Sequence, residues 1–489
     1  MLQIGSVCLA EMVVVHLPMG AASAGAVVVG GMALEPSPDP IPARIAMGPL
    51  AVEIADFCTI PASSTQRPLA ALNYLFHAGD GTPRVFVCDT RGKLWQVGTQ
   101  TGIPELVLDV AQVRGHTFLG QKSQMGLRSF AFHPDFTKAA RPGFRKLYTV
   151  HTEAAAEPEG SAPLFAMTPG TPVHHHNVLT EWGAHPTEPL AIDPDSRREM
   201  LRIAQNRPDH CTDQLVFNPA AMPGDDDYGM LYIGTGDGGN TPERPDRHEH
   251  AQDPASALGK ILRIDPLRQA DGGCYRVSAD NPFVGRDGWL PEIWALGLRH
   301  PQNLSFDRPT GTLVLTDIGQ FFIEEVNLGV RGGNYGWPGR EGTFATDRGD
   351  QTRLRALPDD DASLGYVYPV AQYDHDEGRT REGTPIAKGR VAITGGFVCR
   401  DVAIPALAGQ YLFGDLVNGR VFHVALAELI PGQLAIIHEL TLMRNHAPVT
   451  LRQLVGTAGR VDLRFGQDER GAIYLLTKQD GAVRKLVSG

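Results

Sequence analysis

Short apolar runs separated by turn residues recur along most of the chain. The runs are five or six residues long, rich in β-branched and aromatic side chains, and bounded by Gly, Pro, Asp and Asn, whereas segments with a helical period are scarce. This pattern is typical of short β-strands joined by tight turns. The sequence therefore predicts an all-β fold.

One phrase within this pattern repeats: a Phe, a turn rich in Pro and Asp, and an apolar strand that ends near Thr. Four copies occur, at 130–152, 215–237, 304–317 and 463–478. Their aligned phenylalanines stand 85, 89 and 159 positions apart, so the last step is close to two shorter ones. A missing copy is predicted near 367–376 or 395–415, and an early copy near 84–97.

Repeated all-β units that cannot bury their own faces must pack against their neighbours. Radial packing into a propeller protects most strand edges. The chain length suits about six large units, so we predict a six-bladed β-propeller with long loops over 46–489. Two β-sandwiches remain the structural alternative.

The composition limits the classes of partner. The 489 residues are 42% hydrophobic and 20% charged, with a formal net charge of −11. This balance disfavours binding to nucleic acid or to anionic membranes, which need clustered Lys and Arg. We therefore expect no nucleic-acid partner.

The first 45 residues differ from the rest. They have no Lys or Arg before position 44, and an apolar, small-residue stretch gives way to a Pro-rich one. Either an export leader or an unstructured start explains this; the leader implies a periplasmic or extracellular protein. No later segment is long and apolar enough to span a membrane.

The cysteines give little guidance on compartment. They stand at positions 8, 58, 88, 211, 274 and 399, and no two form a C-x-x-C pair. Zinc ribbons and thioredoxin-type motifs are thereby excluded. One or two disulfides are possible in an oxidising compartment.

Several residues could carry chemistry. Asp209 and His210 stand directly before the apolar run of "NRPDHCTDQLVFN", where a rigid sheet could hold a general base. Arg299, in "GLRHPQNLSFD", also precedes a strand and suits a carboxylate ligand. For both sites an ordinary loop residue or salt bridge is the alternative. The loop "GTGDGGN" lacks the Lys-Ser/Thr ending of a phosphate loop and is interpreted as a turn.

Two further stretches could bind metals. Glu324 and Glu325 precede "RGGNYGWP", whose carbonyl oxygens could join carboxylates around calcium, although no EF-hand pattern is present. The three histidines at 174–176 lie in a Pro-rich stretch and are interpreted as a solvated loop.

Long motifs in a fixed order resemble those of a known family. "MGLRSFAFHPDF", "LYIGTGDGG…AQDPASALGKILRID", "GLRHPQNLSFD…TGTLVLTDIGQ…EEVNLGVRGGNYGWP" and "AIPALAGQYLFGDLVNGRVF" are similar to those of the glucose/sorbosone dehydrogenases. These are soluble sugar (aldose) dehydrogenases that depend on pyrroloquinoline quinone (PQQ) and calcium, with six-bladed propeller folds. Propellers resembling hedgehog-interacting protein share the motifs. The resemblance runs from about residue 84 to the C-terminus.

The resemblance implies roles for particular residues. His210 corresponds to the general base that takes the proton of the sugar's anomeric hydroxyl, with Asp209 as its companion. Hydride passes to a calcium-polarised quinone, and an external electron acceptor then reoxidises the cofactor. The remaining positions are implied as follows: Gln124, Arg299 and His300 for the cofactor, the backbone of Gly319 and Gln320 for the calcium beneath it, and Glu325, Tyr335 and the acidic Glu324 for a second, structural calcium.

The chain also departs from the family motifs. The family has "HxGG" where this chain has "HCTD", with Asp213 in place of a Gly, and an Asn where this chain has His300. Gly238 replaces a cofactor-contacting amide, and Val417 and Asn418 stand where sugar oxidisers have a Lys. Arg460 and Arg464 are out of register with the paired C-terminal arginines. Candidates to compensate are Lys388, Arg390 and Arg400; the rival interpretation is a catalytically silent, ligand- or protein-binding propeller.

Overall fold

The structure, a computed structural model, describes residues 40–120, 124–185, 191–239, 249–267, 272–346, 353–375 and 391–489. In these ranges strands dominate and the only α-helices are two five-residue segments, α1 (Val110–Arg114) and α2 (Leu451–Val455). Single 3₁₀ turns occur at Gly115–Thr117, Asp361–Leu364, Pro405–Leu407 and Leu426–Glu428. The prediction of an all-β chain is confirmed.

The strands form sets that follow one another along the chain. Strand β1 is Ala46–Thr59, and the first set is β2 (Leu72–Phe76), β3 (Arg84–Asp89), β4 (Lys93–Gly98) and β5 (Pro104–Asp109). The second set is β6 (Leu127–Phe132), β7 (Lys146–Glu153), β8 (Leu164–Phe165), β9 (His175–Ala184) and β10 (Ile192–Gln205). The third is β11 (Thr212–Phe217), β12 (Leu231–Thr235), β13 (Lys260–Ile264) and β14 (Ile293–Leu296). Within each set the neighbours are antiparallel except for β8, which pairs parallel with β10.

Three further sets complete the described fold. The fourth is β15 (Asn303–Phe306), β16 (Leu313–Asp317), β17 (Ile323–Leu328) and β21 (Ala371–Asp374), with a small sheet of β18 (Arg340–Glu341), β19 (Phe344–Thr346) and β20 (Leu354–Arg355) between its last two strands. The fifth is β22 (Ile393–Val398), β23 (Gln410–Asp415), β24 (Val421–Ala425) and β25 (His438–Arg444), with β26 (Ala447–Pro448) on its edge. The sixth is β27 (Leu463–Gln467), β28 (Ile473–Thr477) and β29 (Ala482–Val487).

The first strands of the six sets pack side by side in cyclic order. Strands β2, β6, β11, β15, β22 and β27 each contact the next, and β27 contacts β2 again. Strand β1 pairs antiparallel with β29 and parallel with β25, so it supplies the outer strand of the sixth set. The described chain ends are thereby joined within one sheet.

The repeated phrase corresponds to the first two strands of a set. The four copies contain β6–β7, β11–β12, β15–β16 and β27–β28, and the missing copy is β22–β23, at 395–415. The alternative at 367–376 covers β21, the last strand of the fourth set. The early copy at 84–97 is offset, because it covers β3 and β4, the second and third strands of the first set.

Aromatic side chains fill the space between neighbouring sets. Phe86 of the first set packs against Phe130 and Phe132 of the second, with the Phe86 and Phe132 ring centroids 4.5 Å apart. All three are buried. Fully burying a side chain of this kind stabilises the fold by about 1.5–3 kcal/mol.

A buried salt bridge joins the innermost strands of the second and third sets. Arg128 donates from Nε to Asp213 Oδ1 at 2.6 Å, and both side chains are almost fully buried. Removing one partner of such a pair leaves an uncompensated buried charge and costs about 3–5 kcal/mol.

We therefore expect Arg128→Met to lower the free energy of unfolding by about 3–5 kcal/mol. The matched control is Arg444→Met, because the exposed Arg444–Asp56 bridge is worth about 1 kcal/mol or less. Urea unfolding followed by tryptophan fluorescence measures both. Equal shifts in the two variants would contradict a structural role for the buried pair.

The described cysteines form no disulfide. Free thiols are found at Cys58, Cys88, Cys211, Cys274 and Cys399, whereas Cys8 and the predicted leader up to residue 39 lie outside the described residues. The possible disulfides are therefore absent among the described cysteines. Within the same ranges, none of the helices has the length and apolar character needed to cross a membrane.

Candidate functional site

A cavity of about 720 Å³ lies at one end of the innermost strands. Each set contributes the residues that directly precede its first strand, and four sets also contribute the turn after their second strand. The contributions from before the first strands are Ala71, Gln124 with Met125, His210, Arg299 with His300 and Gln302, Val391 with Ala392, and Arg460 with Asp462. Residues far apart in sequence thus meet because they occupy equivalent positions in successive sets.

Six predicted site residues line this cavity: Gln124, His210, Arg299, His300, Gly319 and Gln320. The predicted metal residues Glu324, Glu325 and Tyr335 do not, and neither does Asp209.

The backbone holds His210 in a left-handed conformation at the entrance to β11. Its φ is 52°, which is uncommon for a residue other than Gly and costs about 1–3 kcal/mol when the surroundings impose it. The His210 N–H donates to Gln124 Oε1 at 2.5 Å. A Cβ at Gly236 would stand 2.4 Å from the His210 carbonyl oxygen, so the glycine loop after β12 permits the close approach.

The carboxylate bound to the His210 ring is Asp237. His210 Nδ1 lies 2.6 Å from Asp237 Oδ1, and the same carboxylate accepts from Gly239 N at 2.9 Å and Trp337 Nε1 at 2.9 Å. Asp237 therefore fills the role predicted for Asp209, which stands 28 positions earlier in the chain. The loop after β12 brings Asp237 to the His210 ring.

The surroundings of His210 and Asp237 favour a neutral imidazole beside an ionised carboxylate. Burial and then the charge of Arg299 lower the pKa of His210 to about 4, against the opposing effect of Asp237. Burial alone would raise the pKa of Asp237, but the His210 charge and hydrogen bond hold it at about 2. Because ionised Asp237 only accepts, the neutral ring carries its proton on Nδ1 and leaves Nε2 as a base.

Arg299 also lines the cavity. Its Nε donates to Gln320 Oε1 at 2.8 Å, its Nη1 donates to the Ile318 carbonyl at 2.8 Å, and its guanidinium lies 5.6 Å from the Trp337 ring centroid. Asp317 binds the backbone rather than the guanidinium, accepting from Arg299 N at 2.8 Å. No carboxylate in the described part of the chain forms a salt bridge with Arg299.

The cavity lining is strongly cationic, although the whole chain carries a net charge of −11. Besides Arg299, the cationic residues on the lining are Arg67, Arg91, Arg460, Arg464 and Lys478. Asp462 is the one carboxylate among the described lining residues. Arg460 and Arg464 thus reach the cavity although they are out of register with the family motif.

Two of these cations, the buried Arg464 and the half-buried Lys478, repel each other. Burial and then the Arg128 charge lower the pKa of Arg464 to about 10, and burial followed by the charges of Arg128 and Arg464 lowers the pKa of Lys478. Arg464 bonds only neutral groups, Asn73 Oδ1 and the Leu463 carbonyl. An anionic ligand would offset this repulsion.

The backbone near Gly319 is compatible with a hard cation. A Cβ at Gly319 would lie 1.8 Å from the Ile323 carbonyl oxygen, so only glycine fits this turn. Glu341 holds the turn by accepting four backbone N–H groups, from 320 to 323, at 2.8–3.1 Å on one oxygen. The second oxygen, Oε2, is buried without a partner in the described structure.

Glu324 and Glu325 of the predicted second metal site are neighbours on β17, so their side chains point to opposite faces of the sheet. Glu324 binds His375 Nε2 at 2.7 Å and Ile393 N at 2.8 Å, while Glu325 accepts from Gly342 N at 2.6 Å. The two neighbouring carboxylates therefore belong to different surroundings, and the prediction that placed them together is corrected on this point. Within the described ranges no three His, Cys, Asp or Glu side chains converge as metal ligands.

Glu325 nevertheless has an unusual environment. It is directly opposite Asp317 in the β16–β17 ladder, and paired like charges destabilise a sheet. Burial, then the neighbouring Asp317 charge, raises the pKa of Glu325 to about 8, and burial raises that of Asp317 to about 7. Tyr335 instead donates from its hydroxyl to the Leu328 carbonyl at 2.6 Å. A cation between the two carboxyls would stabilise both, which favours this position over Glu324.

The His-rich stretch is only partly solvated. His174 is exposed, but His175 and His176 begin β9 and are buried. His175 Nε2 lies 3.5 Å from Cys211 Sγ. The interpretation of 174–176 as a solvated loop is wrong for two of its three residues, because the strand begins one residue after His174.

Three residues were predicted to compensate for the missing cofactor contacts. The one that the structure describes, Arg400, does not line the cavity. Arg400 forms a two-bond salt bridge with Asp307, with both distances 2.8 Å, and Lys388 and Arg390 lie outside the described residues. Val417 does line the cavity, so an apolar side chain occupies the position where the family motif has Lys.

Sequence reasoning missed three features: Asp237, the Asp213–His300 contact and the cations Arg67, Arg91 and Lys478. Asp237 was recognisable only as the acidic residue inside a glycine turn. The others lie in loops whose proximity depends on the closure of the strand sets.

The fold and the cavity define a class of protein. It is an all-β protein that places a buried histidine–carboxylate pair and a surplus of cations around one cavity at the ends of its innermost strands.

The chain belongs to the glucose/sorbosone dehydrogenase family, whose model matches residues 74–485. HIPL1 protein of Arabidopsis thaliana is 27% identical over 445 residues, covering 83% of this chain and 60% of that protein. Quinoprotein glucose dehydrogenase B of Acinetobacter calcoaceticus is 27% identical over 259 residues, covering 50% of this chain and 46% of that protein. The alignments thus span about half the length of these curated relatives.

A solved structure supports the architecture. The PQQ-bound aldose sugar dehydrogenase of Streptomyces coelicolor superimposes with a TM-score of 0.54 and 19% identity, covering 90% of this chain and 99% of that one. Structures of this group are β-propellers, so the fold of this chain is propeller-like.

Proposed function

We propose that the protein is a PQQ-dependent sugar dehydrogenase that oxidises the anomeric hydroxyl of an aldose. Family membership supports an oxidoreductase with a sugar substrate. The single observation that carries the cofactor assignment is the cationic lining of the cavity. Six Arg and Lys side chains face one Asp there, and a tricarboxylate quinone supplies the missing negative charge.

The fit of the quinone rests on charge and on unsatisfied groups. The buried Arg464 and the half-buried Lys478 would gain a carboxylate partner, and Arg299 presents a planar guanidinium beside Trp337. Each charge-assisted hydrogen bond is worth about 1.5–3 kcal/mol. These residues would provide the cationic contact that a Lys provides in the family motif, where this chain has Val417 and Asn418.

The protein residues would bind, orient and deprotonate the sugar. When bound, the quinone with its calcium supplies the acceptor for a hydride, that is, for two electrons and a proton. His210 Nε2 accepts the hydroxyl proton, Asp237 stabilises the imidazolium that results, and Gln124 fixes the His210 backbone. The hydroxyl-bearing carbon is thereby oxidised to the carbonyl level.

The calcium would be held by the Gly319–Gln320 turn, with main-chain oxygens as hard ligands. We place a second cation between Asp317 and Glu325. We further propose that the six strand sets are the blades of one propeller over 46–489, that the protein is exported to the periplasm or outside the cell, and that an external acceptor reoxidises the quinone.

Reconstitution tests the proposed reaction. Purified protein is loaded with PQQ and calcium, and dye reduction is followed with a panel of aldoses. Saturable, sugar-dependent reduction that is lost when calcium is chelated is the expected result. Loading without any aldose-dependent turnover would contradict sugar oxidation.

Asp237→Asn is expected to lower kcat on the order of 10²-fold, because an amide donor at this position favours the tautomer protonated on Nε2. Quinone affinity is expected to stay within about threefold, since Asp237 is not a cationic partner. The exposed Asp195→Asn is the matched control. Steady-state kinetics with saturating quinone measures kcat. An unchanged kcat would contradict a role for Asp237 in assisting His210 as the base.

The second candidate is a binding propeller without catalysis. Relatives include HIPL1 protein and hedgehog-interacting protein, and the apolar Val417 removes one cofactor contact of the family motif. A binding module remains folded but takes up no quinone and reduces no dye.

A further inference from the structure

The cavity carries more positive charge than the proposed cofactor neutralises. Of its six cationic side chains, Arg460 already has a partner, because its Nε donates to Asp462 Oδ1 at 2.9 Å. The other five form no salt bridge within the described part of the chain. A tricarboxylate quinone balances three of these, namely the three that the proposed function gives to it. Two cations, Arg67 and Arg91, are therefore left over.

The guanidinium of Arg91 has only neutral partners. Arg91 follows β3, and its Nη1 donates to Ser63 Oγ and its Nη2 to the Pro68 carbonyl, both at 2.8 Å. Its Nε is buried and has no partner among the described residues. Asp89 accepts from the backbone N of Arg91 at 2.9 Å and does not form a salt bridge with its side chain. Arg91 therefore keeps both an unpaired charge and an unused donor.

The second cation belongs to the loop that leads into β2. Arg67 is exposed, and its Nη1 donates to the Val455 carbonyl at 2.9 Å. Ser64 and Gln66 of the same loop also line the cavity. Hydroxyl and amide groups suit the hydroxyls of a sugar, whereas a guanidinium suits a carboxylate or a phosphate. The loop and Arg91 together thus offer both kinds of partner that an acidic sugar needs.

The turn that carries Arg91 contacts the segment that supports the proposed base. A Cβ at Gly126 would lie 1.9 Å from the Thr90 carbonyl oxygen, so the two segments approach closely. Gln124, two residues before that glycine, accepts from the His210 N–H. Only one chain segment therefore separates the turn of Arg91 from His210, and both residues line the same cavity.

We propose that the substrate is an acidic aldose, with its anionic group bound by Arg67 and Arg91 and its anomeric hydroxyl at His210. The inference rests on the proposed function and narrows it, because that function leaves the class of aldose open. The anionic group is a carboxylate or a phosphate ester, and a guanidinium binds either one through two oxygens. The oxidation at the anomeric carbon is the same as for a neutral aldose, because the anionic group takes no part in it.

The test is equilibrium binding of sugars, measured by isothermal titration calorimetry. Glucuronate, glucose 6-phosphate and glucose are titrated into the protein without quinone and into quinone-loaded His210→Gln, in which the proposed base is absent. At least one acidic sugar is expected to bind about tenfold to a hundredfold more tightly than glucose, the effect of one charge-assisted contact. Added salt should weaken this preference. Acetate and inorganic phosphate, which lack the sugar hydroxyls, should bind more weakly than the sugar with the same anionic group.

The double variant Arg67→Gln/Arg91→Gln is expected to weaken binding of the acidic sugar about tenfold or more, and to leave the affinities for glucose and quinone within about threefold. Arg470→Gln, which replaces an exposed arginine outside the cavity, is the matched control. Arg464→Gln/Lys478→Gln should retain the preference for the acidic sugar in the protein without quinone. Because Arg91 also holds the loop, Arg67→Gln alone decides if the double variant does not fold, and it should weaken the acidic sugar about threefold or more.

A preference for an acidic sugar that depends on Arg67 and Arg91 supports the proposal, and the tighter of the two acidic sugars identifies the anionic group. The proposal is overturned if glucose binds as tightly, if no sugar binds, or if acetate or phosphate binds as tightly as the corresponding sugar. It is also overturned if the preference survives in Arg67→Gln/Arg91→Gln, or if that variant loses quinone instead. The proposed function fails by a separate result, the absence of aldose-dependent dye reduction in the loaded wild type.

Discussion

His210→Gln is expected to lower kcat by about 10²- to 10⁴-fold, the usual contribution of a positioned general base. Glutamine cannot take the hydroxyl proton at Nε2, but its backbone N–H can still donate to Gln124. Quinone affinity and the free energy of unfolding should therefore change little. Stopped-flow reduction of the bound quinone by sugar measures the chemical step directly.

The matched control for this variant is His446→Gln, because His446 is 88% exposed in its side chain and far from the cavity lining. It should retain the wild-type rate. If both variants kept that rate, His210 would not be the base.

The double variant Arg464→Gln/Lys478→Gln is expected to weaken quinone binding by about 10²- to 10⁴-fold. This range corresponds to the loss of two charge-assisted contacts of about 1.5–3 kcal/mol each. Equilibrium titration with quinone measures the Kd. The matched control is Arg470→Gln, an exposed arginine outside the cavity, which should leave the Kd unchanged.

The same double variant should unfold at a higher urea concentration than the wild type when no quinone is present. Arg464 and Lys478 repel each other and the buried Arg128, and their removal relieves that repulsion. A site that stabilises its ligand at the expense of the free protein behaves in this way. Weaker binding combined with lower stability would instead indicate general damage to the fold.

Much of the fold was predictable because its signal is local. Short apolar runs and turn residues predicted the all-β class. The spacing of the phenylalanines left two places for the missing copy, 367–376 and 395–415, and the structure has it at the second, as β22–β23. The first set escaped the pattern because its innermost strand, Leu72–Phe76, has no copy of the phrase. A repeat can be recognised only where each unit keeps the same residues.

Only the site residues that lie in a recognisable sequence motif were predictable. His210 and Arg299 stand before strands and were found; the ring's partner, Asp237, was not, because the carboxylate next to His210 in sequence was the simpler choice. The His300–Asp213 contact joins residues 87 positions apart, and Lys478 approaches Arg464 across a sheet. Such contacts depend on the packing of whole strand sets, which periodicity alone does not specify.

We propose above all that the cationic cavity binds a polyanionic quinone next to His210. Titration of the purified protein with PQQ in the presence of calcium, followed by the quinone's absorption spectrum, tests it most directly. Saturable binding of one quinone per chain, weakened by added salt and by the double variant Arg464→Gln/Lys478→Gln, is the expected result. A folded protein that takes up no quinone would contradict it.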